Sequence, residues 1–99
     1  MSLSTHVLDA ASGRPAAGLA VRLERADGSV LAERHTDADG RLEDLPAPEI
    51  GVHRLIFETG DRSPFYPSVT IEFRVTDPAE RYHVPLLLSP YSYSTYRGS

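Results

Sequence analysis

The sequence predicts an all-β fold, a sandwich or a barrel, and three observations support this prediction. Segments of alternating or β-branched residues recur about every 8 to 12 residues between turn signals. Asp-Gly pairs and Pro-containing stretches separate these segments, and no stretch requires a helix of ordinary length. The 99 residues suffice for one core, so we expect a single domain, residues 1–99, too small to enclose a deep cavity. A substrate pocket is therefore expected at a surface or a subunit boundary.

The predicted strands follow one another with short connections. THVLD is the first predicted strand, and ASGRPAAG forms the turn and loop after it. LAVRLERA and SVTIEFRV alternate apolar with polar residues, which predicts one buried and one wet face. Asp27-Gly28 and Asp39-Gly40 are tight turns, and the second delivers Arg41 onto a short strand. The strands are expected at residues 5–9, 19–26, 30–36, from 41, 51–59, 68–75, 81–89 and 91–97.

The strand RYHVPLLLS has apolar residues on both of its faces, unlike its neighbours. Tyr82, Val84, Leu86 and Leu88 alternate with His83, Pro85 and Leu87. Because a surface strand of a sandwich is normally wet on one side, we expect another subunit to cover the second face. Pro85 has no N–H to donate, which predicts an edge or a bulge at that point.

Composition excludes several classes of function. The net charge is −4, with 10 Arg, no Lys and 14 acidic residues, which argues against nucleic-acid or anionic-membrane partners. No apolar run could span a bilayer and MSLSTHVLD is not signal-like, so a cytoplasmic location is expected. The absence of Cys excludes disulfides and thiolate chemistry, and the absence of Lys excludes a Schiff base.

Two histidines are candidates for general acid–base chemistry. His6 lies mid-strand on the face opposite Thr5 and Val7, where a hydrogen-bonded structural histidine is the alternative. His83 lies on the face assigned to a subunit contact. An imidazole there needs a partner or has a lowered pKa, as suits a general base, and a structural interface histidine is the alternative.

Arg41 and the C-terminal residues are candidates for substrate binding. The planar guanidinium of Arg41 suits a carbonyl or anionic ligand edge, with a solvated turn arginine as the alternative. Arg97, Gly98 and Ser99 combine a positive charge, a hydroxyl and the terminal carboxylate, with a frayed tail as the alternative.

Other constellations are weak. The four histidines, His6, His35, His53 and His83, have no metal-site spacing, and His35 and His53 are interpreted as surface strand residues. The Asp-x-Asp-Gly of DADG lacks the flanking helices of an EF-hand, and no Gly-x-Ser-x-Gly supports a serine nucleophile.

Four stretches resemble one family. STHVLDAASGRPAAGLAVRLER, TDADGR, FYPSV and YHVPLLLSPYSYSTYRGS are similar to 5-hydroxyisourate hydrolases, the purine-catabolic branch of the transthyretin-like proteins. The resemblance covers nearly the whole chain. The terminal Tyr-Arg-Gly-Ser distinguishes these hydrolases from the hormone carriers.

The resemblance implies a prealbumin-type sandwich of two antiparallel sheets, forming a homotetramer with its sites between subunits. It also implies hydrolysis of 5-hydroxyisourate to 2-oxo-4-hydroxy-4-carboxy-5-ureidoimidazoline, without a metal or an organic cofactor. Relatives usually carry a short helix where this chain has only GDRSP, so that helix is expected to be reduced or absent. By position, the resemblance assigns the site to His6, Arg41, His83 and the terminal residues Tyr96, Arg97, Gly98 and Ser99.

These residues suggest a division of roles. We expect His6 and His83 to orient and deprotonate a water, while Arg41 polarises the substrate ring and the tail closes the pocket. Which imidazole is the base stays open. The competing hypothesis is a non-catalytic transthyretin-like carrier of a small ligand, or an interaction module, because one fold hosts both roles.

Overall fold

The computed structural model describes residues 2–99 as two β-sheets that pack face to face. The first sheet has the order β10-β9-β1-β2, and β5 and β8 also pair with β1; the second has the order β4-β3-β6-β7. The strands are β1 (Ser2–Asp9), β2 (Arg14–Pro15), β3 (Ala20–Arg25), β4 (Val30–His35), β5 (Arg41–Leu45), β6 (Gly51–Glu58), β7 (Ser68–Val75), β8 (Arg81–His83), β9 (Leu86–Ser89) and β10 (Ser92–Thr95).

Strand β1 organises the first sheet. It pairs antiparallel with β2 and β5 and parallel with β8 and β9, whereas every pair of the second sheet is antiparallel. The predicted all-β sandwich is confirmed, and no helix occurs between residues 2 and 99, in agreement with the expected loss of the short helix. Within this described part of the chain there is accordingly no helix long and apolar enough to cross a membrane.

Alternating apolar residues fill the space between the sheets. On β7, Val69 and Val75 are buried while Thr70 and Glu72 are exposed, as the alternation predicts. Strand β1 likewise turns every second side chain inward. The fully buried apolar side chains with the largest volumes are Phe57, Leu3, Leu23, Leu55, Leu86, Leu88, Val7, Val21, Val69 and Val75.

The predicted strand 81–89 is divided into two at Val84 and Pro85. Pro85 cannot donate a backbone hydrogen bond, so the ladder stops and two carbonyl groups lose their strand partners. Side-chain hydroxyls replace them: Thr5 Oγ1 donates to the Val84 carbonyl at 2.6 Å, and Thr95 Oγ1 donates to the Pro85 carbonyl at 2.7 Å. The irregularity predicted from Pro85 is therefore confirmed, and it lies directly after His83.

The Asp39-Gly40 turn carries the chain from the second sheet to the first. Gly40 has a φ of 74°, and a Cβ at this position would lie 2.5 Å from the Val7 carbonyl oxygen, so only glycine fits. The Asp37 carboxylate accepts the backbone N–H groups of Asp39 (2.8 Å) and Arg41 (2.9 Å). This turn fixes the backbone of Arg41 at the start of β5.

The short loop between β6 and β7 is held by one buried serine. Ser63 Oγ accepts the N–H groups of Phe65 (3.2 Å) and Tyr66 (2.9 Å) and donates to the Pro90 carbonyl at 2.7 Å. This hydroxyl therefore ties the loop to the turn that precedes β10, without a helix.

The prediction that His53 is a surface residue is wrong. His53 is 3% exposed and stacks on Phe73, with ring centroids 6.0 Å apart. Its position on β6 has the same parity as Leu55 and Phe57, so it points into the space between the sheets. His35 is exposed, as predicted.

Candidate active site

Three predicted residues lie on the outer face of the first sheet, around β1. His6 pairs directly with Arg41 across the β1–β5 ladder, and Ser4 pairs with His83 across the β1–β8 ladder. Ser4 and His6 share one face because side chains alternate along a strand. The opposite face carries Thr5 and the other buried residues of β1, so both imidazoles and the guanidinium lie on the side away from the core.

The tautomer of His6 follows from its hydrogen bond. His6 Nε2 lies 2.8 Å from the Asp39 carbonyl oxygen, and a carbonyl oxygen can only accept. Nε2 therefore carries the proton. In the neutral imidazole, Nδ1 keeps its lone pair and can accept a proton or a hydrogen bond. The turn that positions Arg41 thus also orients His6.

His83 is half-buried, and its imidazole has a lowered pKa. Burial is the largest cause, because it disfavours the charged form, and the nearby Arg41 and His6 add to it, whereas Glu43 opposes it. The pKa of His83 therefore lies below 6.5, its ordinary value, and the imidazole is neutral near pH 7. Its Nδ1 lies 2.8 Å from Ser4 Oγ, which fixes the plane of the ring.

The C-terminal tail is docked onto His83. Gly98 N–H donates to the His83 carbonyl at 2.8 Å, and the two residues form an isolated antiparallel bridge. A Cβ on Gly98 would lie 3.1 Å from Cγ of the imidazole and still closer to Cδ2. Only glycine lets the backbone approach the ring this closely, so this position has a steric requirement that the sequence pattern did not reveal.

The other tail residues lie around this bridge. The Arg97 side chain extends to Glu80 and lies over the Tyr82 ring, away from His6 and Arg41. Tyr96 is 60% exposed, and Ser99 is exposed at the chain end. The structure therefore brings His6, Arg41, His83 and Gly98 together within one chain, while Tyr96, Arg97 and Ser99 lie near them along the tail.

The group lies on an open sheet face. The cleft with the largest volume described, about 550 Å³, is lined by Ala17, Gly18, Leu19, Ala20, His35, Glu58, Asp61 and Arg62, none of which is a predicted site residue. A cleft of about 460 Å³ reaches Arg41 from the side of β4. Within residues 2–99, His, Asp and Glu form no group of three placed to bind one metal ion. The expected absence of a cofactor remains a prediction.

Sequence reasoning missed three residues that act on this group. Ser4 contacts His83, Asp39 contacts His6, and Glu43 acts on the pKa of His83. Ser4 has a sequence signal, because it lies two residues before His6 and shares its face. Asp39 acts through its backbone, so its side chain gives no signal.

Fold and site together define a class of protein: a β-sandwich that presents two imidazoles and a guanidinium on an outer sheet face, a set suited to a small polar ligand. The chain belongs to the HIUase/Transthyretin family, because the model of that family matches residues 3–98.

Similar proteins include 5-hydroxyisourate hydrolases and a transthyretin. The chain is 47% identical to a 5-hydroxyisourate hydrolase of Caulobacter vibrioides, over 98% of this chain and 97% of the relative. It superposes on the 5-hydroxyisourate hydrolase of Klebsiella pneumoniae with a TM-score of 0.89 and 36% identity, covering 99% and 98% of the two chains. It also superposes on sea bream transthyretin in complex with thyroxine, with a TM-score of 0.86 and 32% identity, covering 97% and 93%.

Proposed function

We propose that this protein hydrolyses 5-hydroxyisourate to 2-oxo-4-hydroxy-4-carboxy-5-ureidoimidazoline, a step of urate degradation. The observation that carries the proposal is the register of the first sheet. Arg41 pairs with His6 of β1, and His83 pairs with Ser4, two residues before His6 on the same strand. Relatives named 5-hydroxyisourate hydrolase support the choice of substrate, since this chain matches one over 98% of its length.

The reaction opens a cyclic amide by adding water. An imidazole takes a proton from the water, whose oxygen attacks the ring carbonyl. The C–N bond then breaks, the carbonyl carbon becomes the carboxylate, and the nitrogen receives a proton as part of the ureido group. His83 suits the role of base because its imidazole is neutral near pH 7. His6, which the hydrogen bond from Nε2 to the Asp39 carbonyl holds in place, orients the water.

Arg41 stabilises the charge that develops on the carbonyl oxygen. Its backbone is fixed by the Asp37 carboxylate, and its side chain is exposed on the same face as both imidazoles. A pre-positioned guanidinium at a developing oxyanion gains more in the transition state than in the ground state. The positive charge also supports the neutral state of His83, so one residue serves both functions.

The tail and a second subunit complete the pocket. Gly98 docks on His83, and we assign the next residue, Ser99, to the mouth of the site and Tyr96 and Arg97 to the pocket wall. A homotetramer with sites between subunits would cover the open sheet face. The half-buried Leu8 and Leu87, which pair directly on that face, supply apolar area for such a contact. The single domain 1–99 and the cytoplasmic location remain predictions.

A direct assay tests the proposal. 5-Hydroxyisourate is generated from urate with urate oxidase, and its ultraviolet decay is followed with and without the protein. We expect acceleration that falls by a factor of about 10² to 10⁴ in His83→Asn. His35→Asn is the matched control, because His35 is an exposed strand histidine of the second sheet. Deletion of Arg97–Ser99 should also slow turnover. An unchanged rate in both variants would contradict the assigned site.

A carrier of a small aromatic ligand is the second candidate, favoured by the superposition on transthyretin with thyroxine. The same assay separates the two hypotheses. If the folded protein leaves the spontaneous decay unchanged, the hydrolase proposal fails, and equilibrium binding of thyroxine then tests the carrier.

A further inference from the structure

The side chain of Arg97 is seated in a built surface site. Its guanidinium donates to Glu80 Oε2 at 2.7 Å and to the Arg81 carbonyl at 3.3 Å, and its Cζ lies 4.7 Å from the centroid of the Tyr82 ring. An ion pair, a backbone acceptor and an aromatic face thus hold one side chain. All three contacts are made by residues of this chain just before or within β8.

The surface site that holds Arg97 is rigid because the turn before β8 is closed by its own hydrogen bonds. Tyr82 Oη accepts the N–H groups of Thr76 and Asp77, both at 3.2 Å, and donates to the Asp77 carbonyl at 3.1 Å. The Asp77 carbonyl also accepts the N–H of Glu80 at 3.1 Å. The backbone of Glu80 and the ring of Tyr82 are therefore held in one fixed arrangement.

Two contacts hold neighbouring residues of the tail. Arg97 is held by Glu80, and the next residue, Gly98, donates to the His83 carbonyl and lies against the imidazole. A tail with exposed residues at the chain end frays unless it is tied down. Without the contacts of Arg97, a single backbone hydrogen bond would hold Gly98 on His83.

We propose that Glu80 is a positioning residue: by holding Arg97 it keeps Gly98 docked on the His83 imidazole and Ser99 at the mouth of the site. The kinetic part of this proposal rests on the proposed hydrolase function. The docking part does not, because it concerns only the equilibrium between a docked and a frayed tail.

The test uses charge variants of Glu80 in the full chain. Glu80→Gln removes the charge, and Glu80→Arg also repels Arg97. An exposed ion pair shifts an equilibrium by about two- to fivefold, so hydrogen exchange of the Gly98 amide should quicken by about that factor in Glu80→Gln and by more in Glu80→Arg. kcat/KM for 5-hydroxyisourate should fall only as the docked fraction falls, and therefore most in Glu80→Arg, with the melting temperature unchanged. Glu80→Asp, which keeps the charge, should change both Gly98 exchange and kcat/KM less than Glu80→Gln does.

Glu72 provides the matched control. It is an exposed acid of β7 that holds Arg54 at 3.0 Å in a similar surface pair, in the second sheet. Glu72→Gln and Glu72→Arg should leave Gly98 exchange and kcat/KM unchanged.

Two results would overturn the proposal. One is unchanged Gly98 exchange in Glu80→Arg, and the other is full kcat/KM in an active Glu80→Arg enzyme whose Gly98 amide exchanges at the rate of an unprotected amide. A wild-type protein without hydrolase activity would refute the proposed function instead, and Gly98 exchange would still decide whether Glu80 seats the tail.

Discussion

Replacement of Gly98 by alanine tests whether the docked tail is part of the site. The φ of Gly98 lies outside the left-handed region, so alanine meets no backbone strain there. Its Cβ would instead lie 3.1 Å from Cγ and 3.2 Å from Cβ of His83, and closer still to Cδ2. Carbon atoms in ordinary contact are about 3.5 to 4.0 Å apart. The tail must therefore move by roughly 1 Å or leave the imidazole.

The expected magnitude follows from what holds Gly98. Its own backbone hydrogen bond to His83 contributes about 0.5–1.5 kcal/mol, and the exposed Arg97–Glu80 ion pair adds little, so the two together are too weak to compress the contact. A displacement of about 1 Å at a reacting group can reduce the rate by about 10². We therefore expect kcat/KM to fall about a hundredfold in Gly98→Ala. The melting temperature should stay unchanged, because Gly98 lies next to the chain end and outside the core.

The assay is the ultraviolet decay of 5-hydroxyisourate, with Gly60→Ala as the matched control. Gly60 also has an ordinary φ, and a Cβ there would meet its nearest neighbour, the Pro67 carbonyl oxygen, at 3.5 Å, an ordinary contact. This control should keep full activity. Full activity in Gly98→Ala, with both variants folded, would refute the argument that the tail backbone must contact the imidazole.

Three further predictions concern Thr5 and His83. Thr5→Val removes the donor to a buried carbonyl at the break between β8 and β9, so the free energy of unfolding in urea should fall by about 1–3 kcal/mol; an unchanged value would show that the carbonyl finds another donor. By NMR titration, the pKa of His83 should rise in Arg41→Gln and fall further in Glu43→Gln, because the two charges act in opposite directions; shifts of the same sign would contradict this. The proposed base is the neutral imidazole of His83, whose pKa is lowered, so kcat/KM should be level near pH 7 and decrease with falling pH at a midpoint below 6.5; a midpoint above 6.5 would exclude His83 as the base.

The sequence indicated individual candidate residues but not their neighbours in space. His6, Arg41 and His83 could be named because each lies in a strand pattern or directly after a turn. Strand patterns do not state which strands pair, however, and β1 pairs in parallel with β8 across nearly the whole chain. The contact between Ser4 and His83 spans 79 positions, so only the tertiary fold reveals it.

His53 and Glu80 show what a local sequence pattern can and cannot predict. His53 has the same parity as Leu55 and Phe57, so period-two alternation already indicated an inward side chain; the wrong surface assignment treated histidine as polar and ignored its position. Glu80 gave no such signal. Its role depends on the turn before β8 and on the return of the tail, neither of which has a local pattern.

The pairing of β1 has a consequence for the order of folding. β3, β4, β6 and β7 form the second sheet from neighbouring antiparallel segments, which can pair while the chain is still being synthesised. β1 is made first, yet its partners β8 and β9 are made last. Contacts this distant in sequence form slowly because a long loop must close. His6 can therefore pair with Arg41 of β5 early, but His83 joins them only when almost the entire chain has been made.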